Sequence, residues 1–455
     1  MCFVCKLIKV IFKMKNVLQI VLLLSFSLGF SQNNLLQSGP MVGYCEMKEA
    51  VIWLQAKENA SVKIEYFAID NPTKVFSSDT YNSSKENGFT YHIIVDKLVP
   101  GKKYKYNVFI NNIKVVLPYE TSFSSKKLWQ WREDAPDFTV AIGSCNYINE
   151  PELDRPGKGY GSGYPIFESI NTKNPDIMIW GGDNIYLREA DWDSKTGILH
   201  RYTHTRSIKE MQPLLAKTQN FAIWDDHDFG PNDSDRSFYN KNLTLEAFKN
   251  FWANKSYGMN PEQNEGNYST FNWGDAQFFL LDDRFFKSPN DRKTGERTIL
   301  GNEQFEWLID ALSSSNASFK IIYIGGQVIT TAARFENYAT YPEEKEKLLK
   351  EIEANKIKGV LFLSGDRHFT ELSKLERNGT YPLYDWTVSP LTSGIAESYK
   401  QDKNTNQVEG SLFTVNNFGT ILFSGNAANR QMKLSLFDKE GEVLWNKVIL
   451  KKELE

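Results

Sequence analysis

Four clusters of polar residues each follow an apolar run that has the composition of a β-strand. In open α/β sheets, ligands bind outside the carboxyl ends of the strands, so polar residues at these ends are expected to converge. The four segments are Ala141-Ile-Gly-Ser-Cys-Asn146, Ile179-Trp-Gly-Gly-Asp-Asn-Ile-Tyr186, Ile223-Trp-Asp-Asp-His-Asp228 and Leu363-Ser-Gly-Asp-Arg-His368. The sequence therefore predicts one polar site at the edge of a sheet.

The residue types in these clusters point to a metal site. Carboxylates and imidazoles bind divalent and trivalent cations, and a thiolate or a phenolate suits a redox-capable iron. The chain has five histidines, and two of them, His227 and His368, lie in the clusters. Solvated acids in a surface turn would explain a single cluster equally well. Four clusters, each after an apolar strand, argue against an accidental origin.

Other chemical patterns in the sequence are weaker. His200 and His204 have the spacing of one helix face and could bind a metal, but no glutamate completes a His-Glu-x-x-His pattern. We interpret them as surface or packing residues. The sequence contains no Gly-x-Ser-x-Gly nucleophile elbow and no Walker loop. The glycine-rich segment 159–163 is interpreted as a loop over the site that could contact substrate.

The elements that must position these residues fall into two regions. Residues 36–125 contain short runs rich in Val, Ile, Tyr and Phe, separated by Asn, Gly, Pro and Ser, which predicts an immunoglobulin- or fibronectin-like β-sandwich. In residues 136–455, strand-like runs alternate with helix-like patterns, which predicts a layered α/β domain. The predicted fold class is mixed α/β, with the sandwich preceding the domain that carries the clusters.

The first residues have the order of a secretory signal peptide. Lys13 and Lys15 precede an apolar run over residues 17–28, and Gly29-Phe-Ser31 provides small residues for cleavage. We predict a signal peptide over residues 1–31, with Met14 as an alternative start, and a secreted or periplasmic protein. The other interpretation is a membrane anchor, although the run is short for a bilayer span.

The bulk composition fits a folded globular protein, with 41% hydrophobic and 24% charged residues. The 53 basic and 56 acidic residues give a formal net charge of −3, which does not indicate a nucleic-acid or membrane-surface partner. We expect a monomer without a transmembrane segment.

Taken together, the clusters resemble those of the PhoD-type alkaline phosphatase/phosphodiesterases. These are relatives of the purple acid phosphatases within the calcineurin-like metallophosphoesterases. Gly-Ser-Cys-Asn, Gly-Asp-Asn-Ile-Tyr, Trp-Asp-Asp-His-Asp, Leu281-Asp-Asp-Arg284 and Ser-Gly-Asp-Arg-His occur in the order of that family. The resemblance implies an N-terminal sandwich module and a metallophosphoesterase α/β sandwich flanked by helices, with metals at one edge.

The resemblance also implies two kinds of metal. Iron(III) would be held by Cys145, Asp183, Tyr186 and His368. Asp183 would bridge to a second metal, calcium or another divalent ion, which Asp226 and Asp366 would also hold. Asn232, Asp225 and Gln327 are weaker candidates for this second site. Two departures from relatives stand out, because the wider superfamily has a histidine near Gln327 and the purple acid phosphatases have an aspartate at Cys145.

The implied activity is hydrolysis of phosphomonoesters or phosphodiesters by a metal-activated hydroxide. His227 is expected to contact the transition state or to protonate the leaving group, or alternatively only to orient Asp226. Further candidates for contact with the phosphate are Asn184, Arg284 and Arg367. The expected function is an exported metal-dependent phosphoesterase. The alternative is a non-catalytic surface or binding protein with structural metals.

Overall fold

Two large β-sheets form the centre of the molecule in the computed structural model, which describes residues 35–259 and 265–455. The first sheet contains, in order across it, β20 (Val443–Leu450), β19 (Gln431–Asp438), β18 (Asn417–Ser424), β9 (Phe138–Gly143), β10 (Ile177–Gly181), β11 (Gln219–Ile223), β1 (Leu36–Cys45), β2 (Ala50–Ala56) and β5 (Thr90–Val95). The second contains β12 (Ser269–Trp273), β13 (Ala276–Leu280), β14 (Phe319–Tyr323), β15 (Val360–Ser364), β17 (Leu383–Thr387) and β16 (Glu371–Leu375). The prediction of a mixed α/β fold is confirmed.

The central strands of both sheets are almost entirely buried. Strands β9, β10 and β11 pair in parallel, as do β13, β14 and β15. Parallel strands covered on both faces are expected to be continuous apolar runs, and Ile177–Gly181 and Val360–Ser364 have that composition. Side chains such as Ile179 and Phe362 from the two sheets share one hydrophobic core.

Helices cover the outer faces of the sheets. They are α1 (Pro165–Thr172), α2 (Lys195–Arg206), α3 (Gln212–Leu215), α4 (Asp226–Phe229), α5 (Lys241–Phe251), α6 (Gly301–Ser314) and α7 (Pro342–Ala354). A second core, which includes Trp180 and Trp224, packs the first sheet against several of these helices. No helix within the described ranges is long and apolar enough to cross a bilayer.

The N-terminal strands form a smaller layered unit. The third sheet contains β4 (Phe76–Ser77), β3 (Val62–Ala68), β6 (Lys103–Ile110) and β7 (Ile113–Lys114), and β8 (Ser122–Ser124) pairs with β6. It packs against β1, β2 and β5 around a separate core that includes Ile52 and Tyr106.

Strand β1 also pairs in parallel with β11, so this N-terminal unit continues the first large sheet. The immunoglobulin- or fibronectin-like type of this unit stays a prediction, as do the boundaries 36–125 and 136–455. The predicted signal peptide, residues 1–31, lies outside the described residues.

Candidate metal centre

The carboxyl ends of β9 and β10 meet the segment after β15 and bring a mixed set of donor atoms together. Cys145, Asp183 and His368 each offer one ligand atom, and these three atoms lie within 4.8 Å of one another. The Tyr186 hydroxyl lies 3.1 Å from His368 Nε2. The structure therefore places the four residues predicted to hold iron(III) in one group of sulfur, oxygen and nitrogen donors.

Aspartates dominate a second group next to the first. Asp225, Asp226 and Asp366 have ligand atoms within 4.8 Å of one another, and so do Asp183, Asp226 and His227. Asp183 and Asp226 therefore connect the two groups. A set of carboxylate oxygens is the kind of site that calcium and other hard cations prefer.

Several carboxylate oxygens at this junction have no partner from the protein. Asp183 Oδ2, Asp225 Oδ2 and Asp226 Oδ1 are buried without a hydrogen bond to any residue of the described ranges. A buried carboxylate oxygen without a partner is costly, because it has lost its hydration. Bound cations would satisfy all three oxygens, so the residues present fit a multi-metal centre.

The electrostatics of the protein groups also favour cation binding. Burial, followed by the nearby Asp226 and Cys145, raises the pKa of Asp183 well above its ordinary value. Burial likewise raises the pKa of Asp366 to about 6 and that of the Cys145 thiol to about 12. Cations bound among these groups would stabilise their ionised forms. Protons and metals should therefore compete for this site.

The backbone turns sharply where the ligands leave their strands. Four of them have left-handed φ values: Cys145 at 60°, Asp183 at 51°, Asp366 at 64° and His368 at 55°. Residues other than glycine rarely adopt this backbone conformation, and such strain is concentrated at functional sites. Two backbone bonds hold the first two loops together, from Cys145 N to Gly182 O (3.1 Å) and from Asn146 N to Asp183 O (2.7 Å).

Arg284 lies among carboxylates of the protein. Its side chain is 2% exposed and forms ion pairs with Asp225 and Glu336. Its Nε donates to Asp225 Oδ1 at 2.5 Å, and Glu336 also pairs with Lys287 at 2.6 Å. This guanidinium is engaged by carboxylates of the protein, and its contact with phosphate stays a prediction. Arg284 positions Asp225.

Asn184 is also committed to protein partners. Its Nδ2 donates to Ile223 O at 2.7 Å and to Asp228 Oδ1 at 3.1 Å. Both amide hydrogens are therefore used within the protein, and the contact with a phosphoryl oxygen stays a prediction. Asn184 connects the loop after β10 to α4.

Arg367 has one donor atom that no residue of the described ranges uses. Its Nη2 donates to Asp402 Oδ2 at 2.5 Å, while its buried Nη1 has no partner within the described ranges. Of the weaker metal candidates, Asp225 lies in the aspartate group, whereas Asn232 is exposed. Gln327 directs its amide to Glu371 at 2.7 Å, so this amide serves a neighbouring network.

Sequence reasoning missed several residues that support the centre. Asp233 and Glu336 form a further carboxylate group with Asp226. Asp228 accepts the backbone N–H of Asp225 at 3.1 Å and completes a capping box on α4, a pattern visible in the sequence. Tyr160, in the glycine-rich loop, places its hydroxyl 2.9 Å from His368 Nδ1.

Gly325 follows β14 and lies against two carboxylates. A Cβ atom there would lie 2.4 Å from Asp283 Oδ2 and 2.5 Å from Asp225 Oδ2. We expect Gly325→Ala to lower the free energy of unfolding by about 1–3 kcal/mol through overpacking and to weaken metal binding by displacing Asp225. Gly326→Ala is the matched control, since its Cβ would meet no atom closer than 3.6 Å. Equal results for the two variants in denaturant unfolding and metal titration would contradict this expectation.

Comparisons with known proteins agree with this geometry. The family model described as PhoD-like phosphatase matches residues 140–436, which include every predicted metal and catalytic residue. A second model, described as a domain of unknown function (DUF7800), matches residues 33–128.

Alkaline phosphatase D of Bacillus subtilis (strain 168) is 23% identical to this chain over 366 residues. The match covers 70% of this chain and 60% of that relative, so it spans less than two thirds of the relative's length.

The fold also has a solved counterpart. The structure of PhoD matches with a TM-score of 0.76 and 17% identity, covering 93% of this chain and 91% of that chain. At this level of identity the likeness concerns the fold. The family model is the stronger finding, because it covers more than half of the chain and all four polar clusters. This chain belongs to the PhoD-like phosphatase family, a family of enzymes that hydrolyse phosphate esters.

Proposed function

We propose that this chain is an exported, metal-dependent phosphoesterase that hydrolyses phosphomonoesters or phosphodiesters. The observation that carries the proposal is the convergence of buried acids, a thiol and imidazoles at one sheet edge, inside the region that matches the family. Buried acids at such close range destabilise a fold unless cations compensate them. Their placement is therefore best explained by a functional metal centre.

The donor types support an assignment of the metals. We assign iron(III) to Cys145, Asp183, Tyr186 and His368, because thiolate and phenolate ligands suit a redox-capable iron. Calcium is assigned to Asp183, Asp226 and Asp366, with Asp225 as a further oxygen donor, and other divalent ions are compatible with this set. When bound, such metals lower the pKa of water and clamp phosphoryl oxygens.

His227 is the residue that we assign to the reacting phosphate. Its ring lies 4.2 Å from that of Tyr186, and its backbone N–H is 3.3 Å from Asp183 Oδ1. Burial lowers the pKa of His227, although Asp226 opposes this effect. At alkaline pH the imidazole is then neutral, which suits a hydrogen bond to the transition state. Arg367 is assigned to the phosphate through its unpartnered Nη1.

We expect His227→Asn to lower kcat by about a hundredfold or more while the metal content stays unchanged. His200→Asn is the control, because His200 is partly exposed and pairs with Glu150 away from the metal groups. Steady-state kinetics and metal analysis of the same preparations distinguish contact with the transition state from orientation of Asp226. A loss of metal in parallel with activity would instead assign His227 to orienting Asp226.

The proposed function is tested most directly by removing the metals. Residues 32–455 should hydrolyse bis(p-nitrophenyl) phosphate at alkaline pH, lose this activity with a chelator and regain it with calcium. The expected reason is that no protein side chain in the proposal acts as the nucleophile, so turnover depends on the metals. Activity that survives complete metal removal would overturn the mechanism. Absence of turnover with every metal would favour a non-catalytic binding protein.

A further inference from the structure

A cavity of about 460 Å³ near the start of α6 is lined by cationic side chains. Its lining includes Arg236, Lys241, Arg292, Phe285, Phe286 and the first residues of α6. Glu296 is the carboxylate among the lining residues. The cavity thus combines three positive charges with one negative charge and two aromatic rings.

The position of the cavity follows from the loop that contains Arg236. The same loop contains Asp233, whose N–H donates to Asp226 Oδ2 at 2.7 Å. Three residues of extended chain reach about 10 Å, so the backbone of Arg236 lies within that distance of Asp233. The N–H of Arg236 also donates to the carbonyl of Lys287 at 3.0 Å, and Lys287 pairs with Glu336. This loop therefore connects one wall of the cavity to the aspartate-rich group.

The three cations lack carboxylate partners in the ranges that the structure describes. Their hydrogen bonds go to backbone carbonyls: Arg236 Nη1 to Phe286 O (3.4 Å), Lys241 Nζ to Phe285 O (3.5 Å) and Arg292 Nε to Thr294 O (2.6 Å). Other cations around the centre, such as Lys287 and Arg367, are paired with acids. Burial lowers the pKa of Lys241, while Asp282 opposes this effect and Arg236 adds to it. An anionic group in the cavity would give these cations a charged partner.

The start of α6 borders the cavity but already has partners from the protein. The N–H of Leu300 donates to the Glu344 carboxylate at 3.2 Å, and the N–H of Gly301 donates to Thr298 Oγ1 at 2.7 Å. The assignment therefore rests on the cavity and its cations and not on the helix start.

We propose that this cavity binds a second phosphate group of the substrate, while the phosphate to be cleaved lies at the metal centre. The inference rests on the proposed function. Guanidinium groups form charge-assisted bonds to phosphate oxygens, and two arginines at one cavity match that chemistry. The site would make the enzyme select substrates that have a second phosphate near the scissile one.

The test compares ligands with one and two phosphates. Binding of alkyl phosphates, and of the matching alkanediol bisphosphates of increasing chain length, is measured by calorimetry with the metal-loaded protein. We expect the best bisphosphate to bind at least about tenfold more tightly than its monophosphate, as a single charge-assisted contact predicts. Equal affinities at every chain length would overturn the proposal.

Variants then locate the second contact. The double variant Arg236→Gln/Arg292→Gln should remove most of the preference for two phosphates. Arg132→Gln is the matched control, because Arg132 also donates to a carbonyl two residues away but lies in an exposed segment. A preference that survives in the double variant, with folding confirmed by circular dichroism, would place the second phosphate elsewhere and overturn the assignment.

Measurements of hydrolysis distinguish a failure of the second phosphate site from a failure of the proposed function. The p-nitrophenyl esters of the same alkyl phosphates, with and without the terminal phosphate, should differ in kcat/KM by the same factor as the binding constants. If neither ester is hydrolysed, the proposed function fails, and the binding comparison still decides whether the cavity takes a phosphate.

Discussion

Replacing Asp183 with asparagine should lower kcat by about a thousandfold or more, the upper range for losing one electrostatic contact to a transition state. Asp183 belongs to both ligand groups, with Cys145 and His368 on one side and Asp226 on the other. Asparagine keeps the shape of the side chain but removes the negative charge that both metals would share. Metal analysis should show weakened binding at both sites, whereas a side chain serving one site would affect one metal.

Asp183→Asn should lower activity but should increase the stability of the metal-free protein at alkaline pH. Burial, Asp226 and Cys145 raise the pKa of Asp183 in the folded state, so the folded protein binds more protons than the unfolded chain. Stability then falls as pH rises from the unfolded pKa to the folded one. Asp183→Asn removes this loss, so the metal-free variant should melt above the metal-free wild type at alkaline pH.

Thermal melts with and without a chelator measure both effects. The order should reverse with metals present, because metals stabilise the wild type by binding the folded state. Asp310→Asn, at an exposed position of α6, should change neither melting temperature nor activity. A metal-free variant less stable than the wild type at alkaline pH would show that Asp183 has a structural role independent of metals.

Local sequence accounts for the buried strands but not for the point at which a helix is interrupted. The apolar runs Ala50–Ala56 and Phe138–Gly143 form β2 and β9, because buried strands need continuous apolar side chains. Apolar residues at helical spacing over 198–217 would suit one helix, but the structure divides this segment into α2, which ends at Arg206, and the short α3. Pro213 explains this break, since proline has no N–H to continue a helix.

The candidate site shows the same division. Candidate ligands such as Asp183 and Asp366 come shortly after strands, so the rule for strand ends singles them out. The partners of Arg284 could not be located in this way, because Glu336 lies 52 residues further along the chain. Which carboxylates surround a buried cation depends on how loops pack, and no local pattern encodes that. The sequence therefore suggested a substrate contact for Arg284, which follows an acidic motif, but could not reveal its partners on distant segments.

The partners of Arg284 give the second large expected effect. Arg284→Ala should lower the free energy of unfolding by about 3–5 kcal/mol, the usual cost of removing one member of a buried ion pair. The substitution leaves Asp225 buried without its cation and Glu336 paired with Lys287 alone. Burial alone would lower the pKa of Arg284, but Asp225 and Glu336 raise it well above its ordinary value, so the guanidinium is charged throughout. The loss should therefore persist across the pH range in which the protein folds.

Two comparisons separate this account from a simple packing defect. Arg155→Ala, at a side chain that is 92% exposed, should change stability by no more than about 0.5 kcal/mol. Arg284→Ala/Asp225→Asn should recover part of the stability, because it removes the carboxylate that lost its cation. Denaturant unfolding of the three variants gives the values. If the double variant is no more stable than Arg284→Ala, lost packing explains the effect. The role of Arg284 in positioning Asp225 would then have to be tested by measuring metal binding of Arg284→Ala.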